Sequence, residues 1–289
     1  MRKFTIKVPA KINLTLDVLG VQGGYHLIES LVASVNIYDT ITVSARRDGK
    51  ITLVNKGIDV GCDILDNNAY KAAKSFMDVF GTNGVDIVVD KKIPVGGGLG
   101  GSSADTAGVL NAMNVLYGIN GNMEPLACDL GSDTPYMLYG GFAVMKGRGD
   151  EVIKQESDKK LYLVIITSEK GISARKCYQL FDEKEKTFTP TTDKAVKNLF
   201  SGKVGSALKY FKNDLQDSAI ELNEEIKYNL YNLKKSGAEV AMIAGSGPSV
   251  FAVFEDASKR DKTFNALKLL YGNNIIKAET VVNKNGKFI

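Results

Sequence analysis

The stretch that decides the fold is PVGGGLGGSSADTAGVLNAMNVLY, which runs from Pro94 to Tyr117. Five of the six residues from Gly96 to Gly101 are glycine, and Ser102, Ser103 and a helix-like run follow directly. Glycine has no side chain to hold a ligand away and tolerates positive φ, so consecutive amides of such a loop can approach an anion. A helix that begins where the loop ends adds unpaired N–H groups and the positive end of its dipole. The stretch therefore predicts a nucleotide or polyphosphate ligand.

The setting of the loop argues against a mobile, solvated linker. The apolar run 85–89 before it predicts a strand, Pro94 fixes the entry, and the exit is helical. Ser102 or Ser103 could cap this helix and also offer a hydroxyl to a phosphate oxygen or its metal ion. The candidate nucleotide-binding residues of this stretch are Pro94, Gly96, Gly97, Gly98, Leu99, Gly100, Gly101, Ser102 and Ser103.

Three familiar kinds of phosphate loop do not fit this stretch. Gly96, Gly98 and Gly101 satisfy the spacing G-x-G-x-x-G, but so glycine-rich a run meets it almost automatically. A dinucleotide fold needs an acidic residue at a strand end about twenty residues on, and the surroundings of Glu124 predict no strand. No Gly-Lys-Ser/Thr of a Walker loop follows, and neither does the Val-Ala-Ile-Lys strand or the His-Arg-Asp of a protein kinase.

The composition is that of an ordinary globular protein. The chain has 289 residues, of which 44% are hydrophobic and 24% charged, enough for one large or two medium domains. Its net charge of +4 comes from 37 basic and 33 acidic residues of scattered and mixed sign. This distribution argues against a nucleic-acid patch, while a mild basic excess suits an anionic small-molecule substrate.

Cysteine and histidine usage narrows the chemistry. Cys62, Cys128 and Cys177 are far apart and odd in number, so we expect no disulfide framework and a reducing, cytoplasmic location. The sequence has no apolar core of a signal peptide and no run of about 18 apolar residues, which predicts a soluble protein without a membrane partner. The single histidine, His26, excludes histidine-rich metal clusters and leaves any Ser-His-Asp triad dependent on that residue.

Hydrophobic patterning predicts an α+β protein of two domains. Strands and helices are mixed without a regular βα period or an internal repeat, which argues against a barrel. The polar segment 147–160 is the predicted boundary, with domains at 1–150 and 151–289. Strands are expected at 4–8, 13–19, 40–45, 51–54, 85–89, 140–145, 161–167, 239–244, 250–255 and 275–282. Helices are expected at 67–80, 103–117, 124–130, 174–181, 194–200, 202–211, 223–235 and 257–271.

Four short segments outside the loop carry further residues suited to chemistry. They are VPAKINL at 8–14, GYH at 24–26, LGSDTP at 130–135 and AGSGPS at 244–249. Together with the loop they resemble the GHMP kinases, whose signature is a Pro-x-x-x-Gly-Leu-Gly-Ser-Ser-Ala-like loop and a C-terminal glycine turn. The resemblance runs from about Val8 to Phe254, and the short segments make it far more specific than the glycine loop does.

Within that family, the segments are most similar to the branch that acts on 4-diphosphocytidyl-2-C-methyl-D-erythritol, a cytidyl diphosphate sugar alcohol of non-mevalonate isoprenoid biosynthesis. The resemblance implies a two-domain α+β fold of the GHMP-kinase type, with the active site in the cleft between an N-terminal ATP-binding domain and a C-terminal domain. It also implies ATP and Mg²⁺ as cofactors and transfer of the γ-phosphoryl group to a hydroxyl.

Lys11 and Asp133 are the candidate catalytic residues. Phosphorylation of an alcohol needs the hydroxyl in line with the γ-phosphoryl group and the developing charge stabilised. Asp133 could accept the hydroxyl proton, and Lys11 could keep that carboxyl ionised and contact the transferring group. The family assigns this pair of roles to the corresponding residues. Without the motifs, Asp133 would be interpreted as a turn residue before Pro135, and Lys11 as a solvated strand lysine.

Tyr25 and His26 are the candidate residues for the base of the substrate. An aromatic ring beside an imidazole suits a nucleobase, and the family holds the cytosine ring with the matching residues, with Asn13 near the substrate. A core tyrosine and a histidine that caps a turn are the open alternatives. Gly245 and Ser246 belong to the third family motif, which closes on the loop and the substrate from the second domain. A plain strand connection would also explain these glycines.

Asn67 and Lys92 complete the candidate set. Asn67 falls where the family places a side chain against adenine, but Asp66 or Asn67 could equally be a helix cap. Lys92 is suitably placed just before Pro94 to approach ATP phosphates, and a solvated lysine is an equally good interpretation.

Two departures from the family pattern affect which phosphate contacts can be expected. Gln22-Gly23-Gly24 precede Tyr25 where Arg-x-Asp-Gly is usual, and the loop ends in Gly-Gly-Ser-Ser-Ala-Asp-Thr-Ala instead of Gly-Gly-Gly-Ser-Ser-Asp-Ala-Ala.

Rival interpretations are another GHMP kinase for mevalonate, homoserine or a sugar, a nicotinamide-dependent oxidoreductase, and a non-catalytic nucleotide-binding regulator. The kinase interpretation requires that Lys11 and Asp133 lie close together at the glycine loop.

Overall fold

The structure, a computed structural model, describes residues 2–184 and 189–281. Within these residues it contains a seven-stranded and a four-stranded β-sheet, with helices packed on both. The predicted α+β class is confirmed. In the same described part of the chain, no helix has both the length and the apolar character needed to cross a membrane.

The first sheet is organised around one long strand. Its strands are β1 (Lys3–Asn13), β2 (Asp17–Gln22), β3 (Tyr25–Ala45), β4 (Ile51–Gly57), β5 (Val85–Lys91), β6 (Phe142–Lys146) and β7 (Glu151–Gln155). The order is β4-β5-β3-β6-β7, and β1 and β2 also pair with β3. β3 is antiparallel to β1, β2, β5 and β6, whereas β4 and β5 are parallel.

Only the end of β3 follows from the hydrophobic pattern. The pattern predicts a strand at 40–45, whereas β3 begins at Tyr25 and has 21 residues. All residues from Ile28 to Val35 are buried, including Glu29, Ser30 and Ser34. Because both faces are covered there, polar side chains are held by internal partners and the alternation that marks a half-buried strand disappears.

Two helices cover this sheet and set up the glycine loop, α1 (Asn68–Phe80) and α2 (Gly101–Tyr117). α1 connects the parallel strands β4 and β5. α2 packs against α1, β1 and β3, and residues all round it are buried. Gly108 permits this close packing, because a Cβ there would collide with the side chain of Ile41. Two shorter helices, α3 (Glu124–Leu130) and α4 (Thr134–Met137), lead from α2 to β6.

The second sheet is antiparallel and begins at Tyr162. Its strands are β8 (Tyr162–Ile166), β9 (Val240–Ile243), β10 (Val250–Phe254) and β11 (Ile275–Glu279), in the order β11-β8-β10-β9. The helices of this half are α5 (Ala174–Asp182), α6 (Thr192–Phe200), α7 (Val204–Leu208), α8 (Gln216–Leu222), α9 (Glu225–Lys235) and α10 (Ala257–Tyr271). The last predicted strand extends to Val282, which lies outside the described residues.

The chain passes from one sheet to the other between residues 155 and 162. β7 still pairs with β6, a few residues beyond the predicted domain boundary at 150; the boundary itself stays a prediction. β7 and α8 have no counterpart in the predicted pattern. β7 is mostly exposed at the edge of its sheet, and α8 has only seven residues, so neither presents a strong hydrophobic period.

Apolar side chains from both halves pack together in two buried clusters. Leu163, Phe251 and Ala278 of the second sheet join the cluster that contains Val8 and Ile41 of the first. The two halves of the molecule are therefore packed against each other.

Candidate active site

The glycine loop joins β5 to α2 and is held on two sides. The amide of Lys11 in β1 donates to the carbonyl oxygen of Leu99 at 2.9 Å. The amide of Ser249 donates to the carbonyl oxygen of Gly97 at 3.3 Å. Ser249 ends the turn 244–249 that connects β9 and β10. The loop is therefore fixed between a strand of the first sheet and a turn of the second.

Two positions in the loop require glycine. Gly98 has a φ of 78°, and a Cβ there would collide with the carbonyl oxygen of Ala244. Gly100 has a φ of 76°, and a Cβ there would lie 2.9 Å from Cγ of Lys11. Side chains are strained at such φ and have no room here. The glycines thus allow the loop to pass directly beside Lys11 and the opposite turn.

The first turn of α2 lines the same space without a side-chain cap. α2 begins at Gly101 with Gly100 as its N-cap, and no described side chain caps it. Ser102 and Ser103 lie inside the first turn, so the expectation that one of them caps the helix was wrong. The reason is that Gly100 enters the helix in a left-handed conformation and occupies the cap position itself. The amides of this turn remain available, together with the helix dipole, to an anion.

A cleft of about 590 Å³ opens beside the loop and is lined by residues of both halves. It brings together most of the residues singled out from the sequence. Those that line it are Lys11, Asn13, Asn67, Pro94, Gly96, Gly97, Gly98, Leu99, Gly100, Gly101, Ser102, Ser103, Asp133, Gly245 and Ser246. Tyr25, His26 and Lys92 are not among its described lining residues.

Lys11 and Asp133 meet in this cleft. Lys11 Nζ lies 3.2 Å from Asp133 Oδ2. The Lys11 side chain projects from β1 and is buried, whereas that of Asp133, just before α4, is 34% exposed. The attraction between opposite charges holds the pair together while one carboxylate remains open to a ligand. The two groups thus lie together at the glycine loop, as the kinase interpretation requires.

Asn13 contacts Lys11 from the same strand. Its Oδ1 accepts from Lys11 Nζ at 2.8 Å, and its Nδ2 donates to Ser30 Oγ at 2.8 Å. Residues 11 and 13 share a face of β1 because side chains alternate along a strand. Both ends of the Asn13 amide are thus engaged inside the protein, although the residue also lines the cleft.

A second lysine, Lys91, lies on the other side of the loop, and sequence reasoning missed it. Its ammonium donates to Asp39 Oδ2 at 2.5 Å and to Asp105 Oδ2 at 2.6 Å, and its side chain is 3% exposed. Lys91 and Asp105 both line the cleft. The signal was present in β5, where buried residues alternate from Val85 to Lys91. This alternation directs Lys91 inward.

The Lys91 cluster, formed by Lys91, Asp39 and Asp105, carries a surplus carboxyl group. Asp39 Oδ1 accepts the amides of Lys92 and Ile93 at 2.6 and 2.8 Å. Asp105 Oδ1 is buried and has no hydrogen-bond partner among the described residues. Burial raises the pKa of Asp105 to about 7; Lys91 opposes the shift and Asp39 adds to it. The neutral form of Asp105 relieves an excess of buried negative charge.

Lys92 points away from the cleft. Its side chain is 65% exposed, and its ammonium lies 3.5 Å from Asp90 Oδ2. It follows Lys91 directly, so the alternation that buries one lysine exposes the other. The structure does not bring Lys92 to the other candidate residues.

The strand that begins at Tyr25 carries the two candidate base-binding residues at the edge of the cleft. Tyr178 of α5 stacks on the His26 ring with the centroids 4.5 Å apart, and His26 Nε2 donates to Asp182 Oδ2 at 2.9 Å. The Arg148 guanidinium lies 5.0 Å from the centroid of the Tyr25 ring. Tyr178 and Arg148 line the cleft, and His26 and Tyr25 adjoin it through their contacts with these two side chains. Neither lining residue was anticipated from the sequence.

Asn67 and the turn 244–249 form two further walls. The Asn67 side chain caps α1 by accepting from the amide of Ala69 at 2.9 Å, and it also lines the cleft. The cap therefore does not exclude a contact between the Asn67 amide and a ligand. Gly245 closely approaches Lys11, since a Cβ there would lie 3.6 Å from Lys11 Nζ. The second half of the chain thus reaches Lys11.

Comparison with known proteins identifies the same family in both halves. Residues 67–141 match the model of the GHMP kinases N terminal domain, and residues 195–273 match that of the GHMP kinases C terminal. The chain is 34% identical over 271 residues to 4-diphosphocytidyl-2-C-methyl-D-erythritol kinase of Clostridium beijerinckii, covering 92% of this chain and 96% of that protein. It is 33% identical over 281 residues to the protein of the same name from Clostridium tetani, covering 96% and 99%.

A solved structure agrees with these matches. The crystal structure of a 4-(cytidine 5'-diphospho)-2C-methyl-D-erythritol kinase has a TM-score of 0.79 and 26% identity, covering 96% of this chain and 98% of that one. The resemblance drawn from the short motifs is confirmed, and with it the GHMP-kinase type of fold. The two family models together match more than half of the chain, and the first of them includes the glycine loop and Asp133: this chain belongs to the GHMP kinase family.

Proposed function

We propose that this protein is an ATP-dependent kinase that transfers the γ-phosphoryl group of ATP to a hydroxyl of 4-diphosphocytidyl-2-C-methyl-D-erythritol. The observation that carries the proposal is the Lys11–Asp133 pair, 3.2 Å apart, beside a glycine loop that opens onto a helix N-terminus. Two relatives named for this substrate, 33% and 34% identical over nearly their whole length, support the choice of alcohol. The reaction belongs to isoprenoid biosynthesis by the non-mevalonate route.

Asp133 is the proposed general base. Its carboxylate accepts the proton of the substrate hydroxyl while the hydroxyl oxygen forms a bond to the γ-phosphorus. The bond between that phosphorus and the oxygen bridging to the β-phosphate breaks, and ADP leaves with the bridging oxygen. The partial exposure of Asp133 supports this role, because a base has to touch the proton that it removes.

Lys11 is the proposed stabiliser of the transferring group. Its ammonium lies beside both the loop and the carboxylate of Asp133, so it can attract the charge that develops on the γ-phosphoryl oxygens. Burial strengthens this attraction because little water screens it. Lys11 and Asp133 therefore serve the two ends of one step, charge on the phosphoryl group and the proton on the alcohol.

The loop and the start of α2 are the proposed phosphate site. Backbone amides at a helix N-terminus suit an anion, and the neighbouring hydroxyls can add hydrogen bonds. Lys91 replaces Lys92 as the lysine proposed for this end of the cleft, because it lies at the lining while Lys92 is on the surface. The residues proposed for ATP are Asn67, Lys91, Pro94, Gly96, Gly97, Gly98, Leu99, Gly100, Gly101, Ser102 and Ser103.

The opposite end of the cleft is the proposed site of the cytidyl group. Tyr25 and His26, with Tyr178 stacked on the imidazole, offer aromatic surface and a hydrogen-bonding ring. Stacking of a base on such a ring contributes about 1–3 kcal/mol in nucleic-acid binders. Asn13 lies beside the alcohol in this arrangement. Gly245 and Ser246 close on the substrate from the second half.

Mg²⁺ suits the oxygen donors that line the cleft. The hydroxyls of Ser102 and Ser103 and the carboxylate of Asp133 are of the type that this ion prefers, and nucleotide sites combine one or two carboxylates with the phosphates themselves. When bound, the ion would offset the negative charge of the β- and γ-phosphates.

The cytoplasmic location remains a prediction.

A coupled assay of ADP release tests the proposal with the purified protein. The panel contains Mg-ATP with the cytidyl alcohol, mevalonate, homoserine or galactose, each in a separate reaction. We expect turnover with the cytidyl alcohol alone. Turnover of another alcohol in its place would assign the chain to a different branch of the family, and ADP release with none of them would contradict the kinase proposal.

A further inference from the structure

A buried series of hydrogen bonds leads from Lys11 to helix α6 in two runs that meet at Thr15, the first on its carbonyl oxygen and the second on its hydroxyl. Its members share deep burial, each being no more than 4% exposed. In order, they are Lys11, Asn13, Ser30, Thr15, Thr192 and Asp17. We name this set the Lys11 chain. The role inferred for it rests on the proposed function of Lys11.

The first half of the Lys11 chain sets the orientation of the Asn13 amide. The Ser30 hydroxyl donates its single proton to the carbonyl oxygen of Thr15 at 2.5 Å. Its oxygen must therefore accept from Asn13, which it does from Nδ2 at 2.8 Å. With Nδ2 fixed on Ser30, the amide oxygen faces Lys11 Nζ at 2.8 Å.

The hydrogen bonds between Thr15 and Asp17 donate in the same direction, away from Lys11. Thr192 Oγ1 donates to Asp17 Oδ2 at 2.7 Å, and a carboxylate can only accept. Thr15 Oγ1, 2.7 Å from Thr192 Oγ1, is therefore the donor of that pair, while it accepts the amide of Leu31 at 2.8 Å. Every hydroxyl of the Lys11 chain thus donates its proton away from Lys11.

Asp17 is the last member of the Lys11 chain and binds the start of α6. Its carboxylate accepts the amides of Thr191 and Thr192 at 2.9 and 2.8 Å, and Lys212 Nζ lies 3.4 Å away. No side chain of α6 itself caps that helix, so Asp17 of β2 supplies the cap from the first sheet. The end of the Lys11 chain is thereby tied to the second half of the molecule.

We propose that Ser30 is a positioning residue for Lys11, acting through Asn13, and that Thr192 extends this positioning across the two halves. An asparagine amide can turn by half a rotation and present its NH₂ group in place of its oxygen. An NH₂ group would repel the Lys11 ammonium, and the lysine, with its flexible stem, would leave its place beside Asp133. Ser30 prevents that rotation because it can accept only from Nδ2.

Removal of the Ser30 hydroxyl gives the main test. In Ser30→Ala we expect kcat to fall on the order of 10- to 100-fold, as a displaced catalytic group does, with both KM values within about twofold of the wild type. Ser30→Thr keeps the hydroxyl, and we expect it to restore most of kcat. Thr192→Val deletes a hydroxyl with little change of shape, and we expect a smaller fall in the same direction.

A Lys11→Met background separates positioning from a general structural effect. Because Ser30 acts only through Lys11, adding Ser30→Ala should change the residual single-turnover rate of Lys11→Met by less than about twofold. Thr263→Val is the matched control, since this equally buried hydroxyl in α10 donates to the carbonyl oxygen of Ser236 at 2.9 Å. We expect it to leave kcat unchanged.

A wild-type kcat in both Ser30→Ala and Thr192→Val, or an equal loss from Ser30→Ala with and without Lys11, would overturn the positioning role. If Ser30→Ala does not fold, as judged by urea unfolding, the comparison of Thr192→Val with Thr263→Val decides. A wild-type protein without turnover would instead contradict the proposed function.

Discussion

The glycine loop lies between two lysine–aspartate clusters that differ in the exposure of their carboxylates. On one side, Lys11 pairs with Asp133, whose side chain is 34% exposed in the cleft. On the other side, Lys91 is enclosed by Asp39 and Asp105, and all three groups are buried. The same residue types therefore present a solvent-accessible carboxylate in one place and a buried lysine held between two carboxyl groups in the other.

The difference shows that burial decides what a charged pair can do. A carboxylate open to solvent can reach a substrate but contributes little to stability, because water competes for it. Removing one partner of a buried pair is costly, because the remaining charge has no water to turn to. We therefore expect substitutions in the Lys11–Asp133 pair to affect turnover and those in the Lys91 cluster to affect stability.

Substitution of the exposed carboxylate should have the largest effect. Asp133→Asn keeps the shape but cannot accept a proton, so we expect kcat to fall by about 10²–10⁴-fold, the contribution typical of a general base. Affinity for ATP, measured by calorimetry, should stay within about twofold. Asp129→Asn, in the exposed part of α3, is the control and should keep normal turnover. Near-normal turnover of Asp133→Asn would refute its assignment as the base.

Removal of the buried lysine should have the next largest effect, this time on stability. Lys91→Met leaves Asp39 and Asp105 buried without their ammonium partner, so we expect a loss of about 3–5 kcal/mol in the free energy of unfolding. Lys11→Met should cost less, about 1–3 kcal/mol, because Asp133 can be hydrated and only the buried Asn13 amide oxygen loses its donor. Urea unfolding of both variants measures the contrast. Equal losses would mean that the two clusters do not differ as described.

The surplus carboxyl of the Lys91 cluster should make stability depend on pH. Because the pKa of Asp105 is raised to about 7 in the folded protein, mainly by burial, folding favours its protonated form. That contribution is complete below the unfolded pKa of about 4 and is lost as the pH rises through about 7. We therefore expect Asp105→Asn to gain stability relative to the wild type between pH 5 and pH 8.

Urea unfolding of Asp105→Asn and of the wild type at pH 5 and at pH 8 measures this change in stability. Asp90→Asn is the matched control, because the Asp90 carboxylate is exposed in its pair with Lys92. We expect that control to differ from the wild type by less than about 0.5 kcal/mol at either pH. A stability difference for Asp105→Asn that does not change with pH would show that Asp105 titrates in the folded protein as it does in the unfolded chain.

Substitution of the exposed Lys92 should have the smallest effect, in contrast to substitution of the adjacent Lys91. Lys92→Met removes an exposed side chain, so the free energy of unfolding should change by less than about 0.5 kcal/mol. The dissociation constant for ATP should also stay near that of the wild type, whereas Lys91→Met, where it folds, should weaken binding. A clear loss of ATP affinity in Lys92→Met alone would reverse the assignment of the two lysines.

Much of the fold could be predicted because its signals are local. The helices at 67–80 and 103–117 follow from apolar spacing along one chain segment, and their observed bounds differ from these by at most two residues. The first part of β3 could not be predicted in this way. Its buried Glu29, Ser30 and Ser34 are matched by partners far away in the sequence, so no periodicity marks the strand.

The candidate site was predictable to the extent that its motifs are contiguous. Lys11, Asp133 and the loop were singled out from short segments, and all of them line one cleft. Lys91 was missed although strand alternation pointed to it, since its neighbour Lys92 was chosen instead. Tyr178, which stacks on His26, comes from a helix about 150 residues later, and no local pattern links the two rings.

By itself, the sequence determined the features that depend on backbone freedom and on neighbouring residues, such as a loop that only glycine can form, the helix after it and the family to which the chain belongs. Tertiary structure alone decided which lysine reaches the cleft, which carboxylate stays exposed and how Ser30 is linked to α6. The physical reason is that burial and charge pairing depend on groups brought together from distant parts of the chain, whereas φ and hydrophobic period are properties of a few adjacent residues.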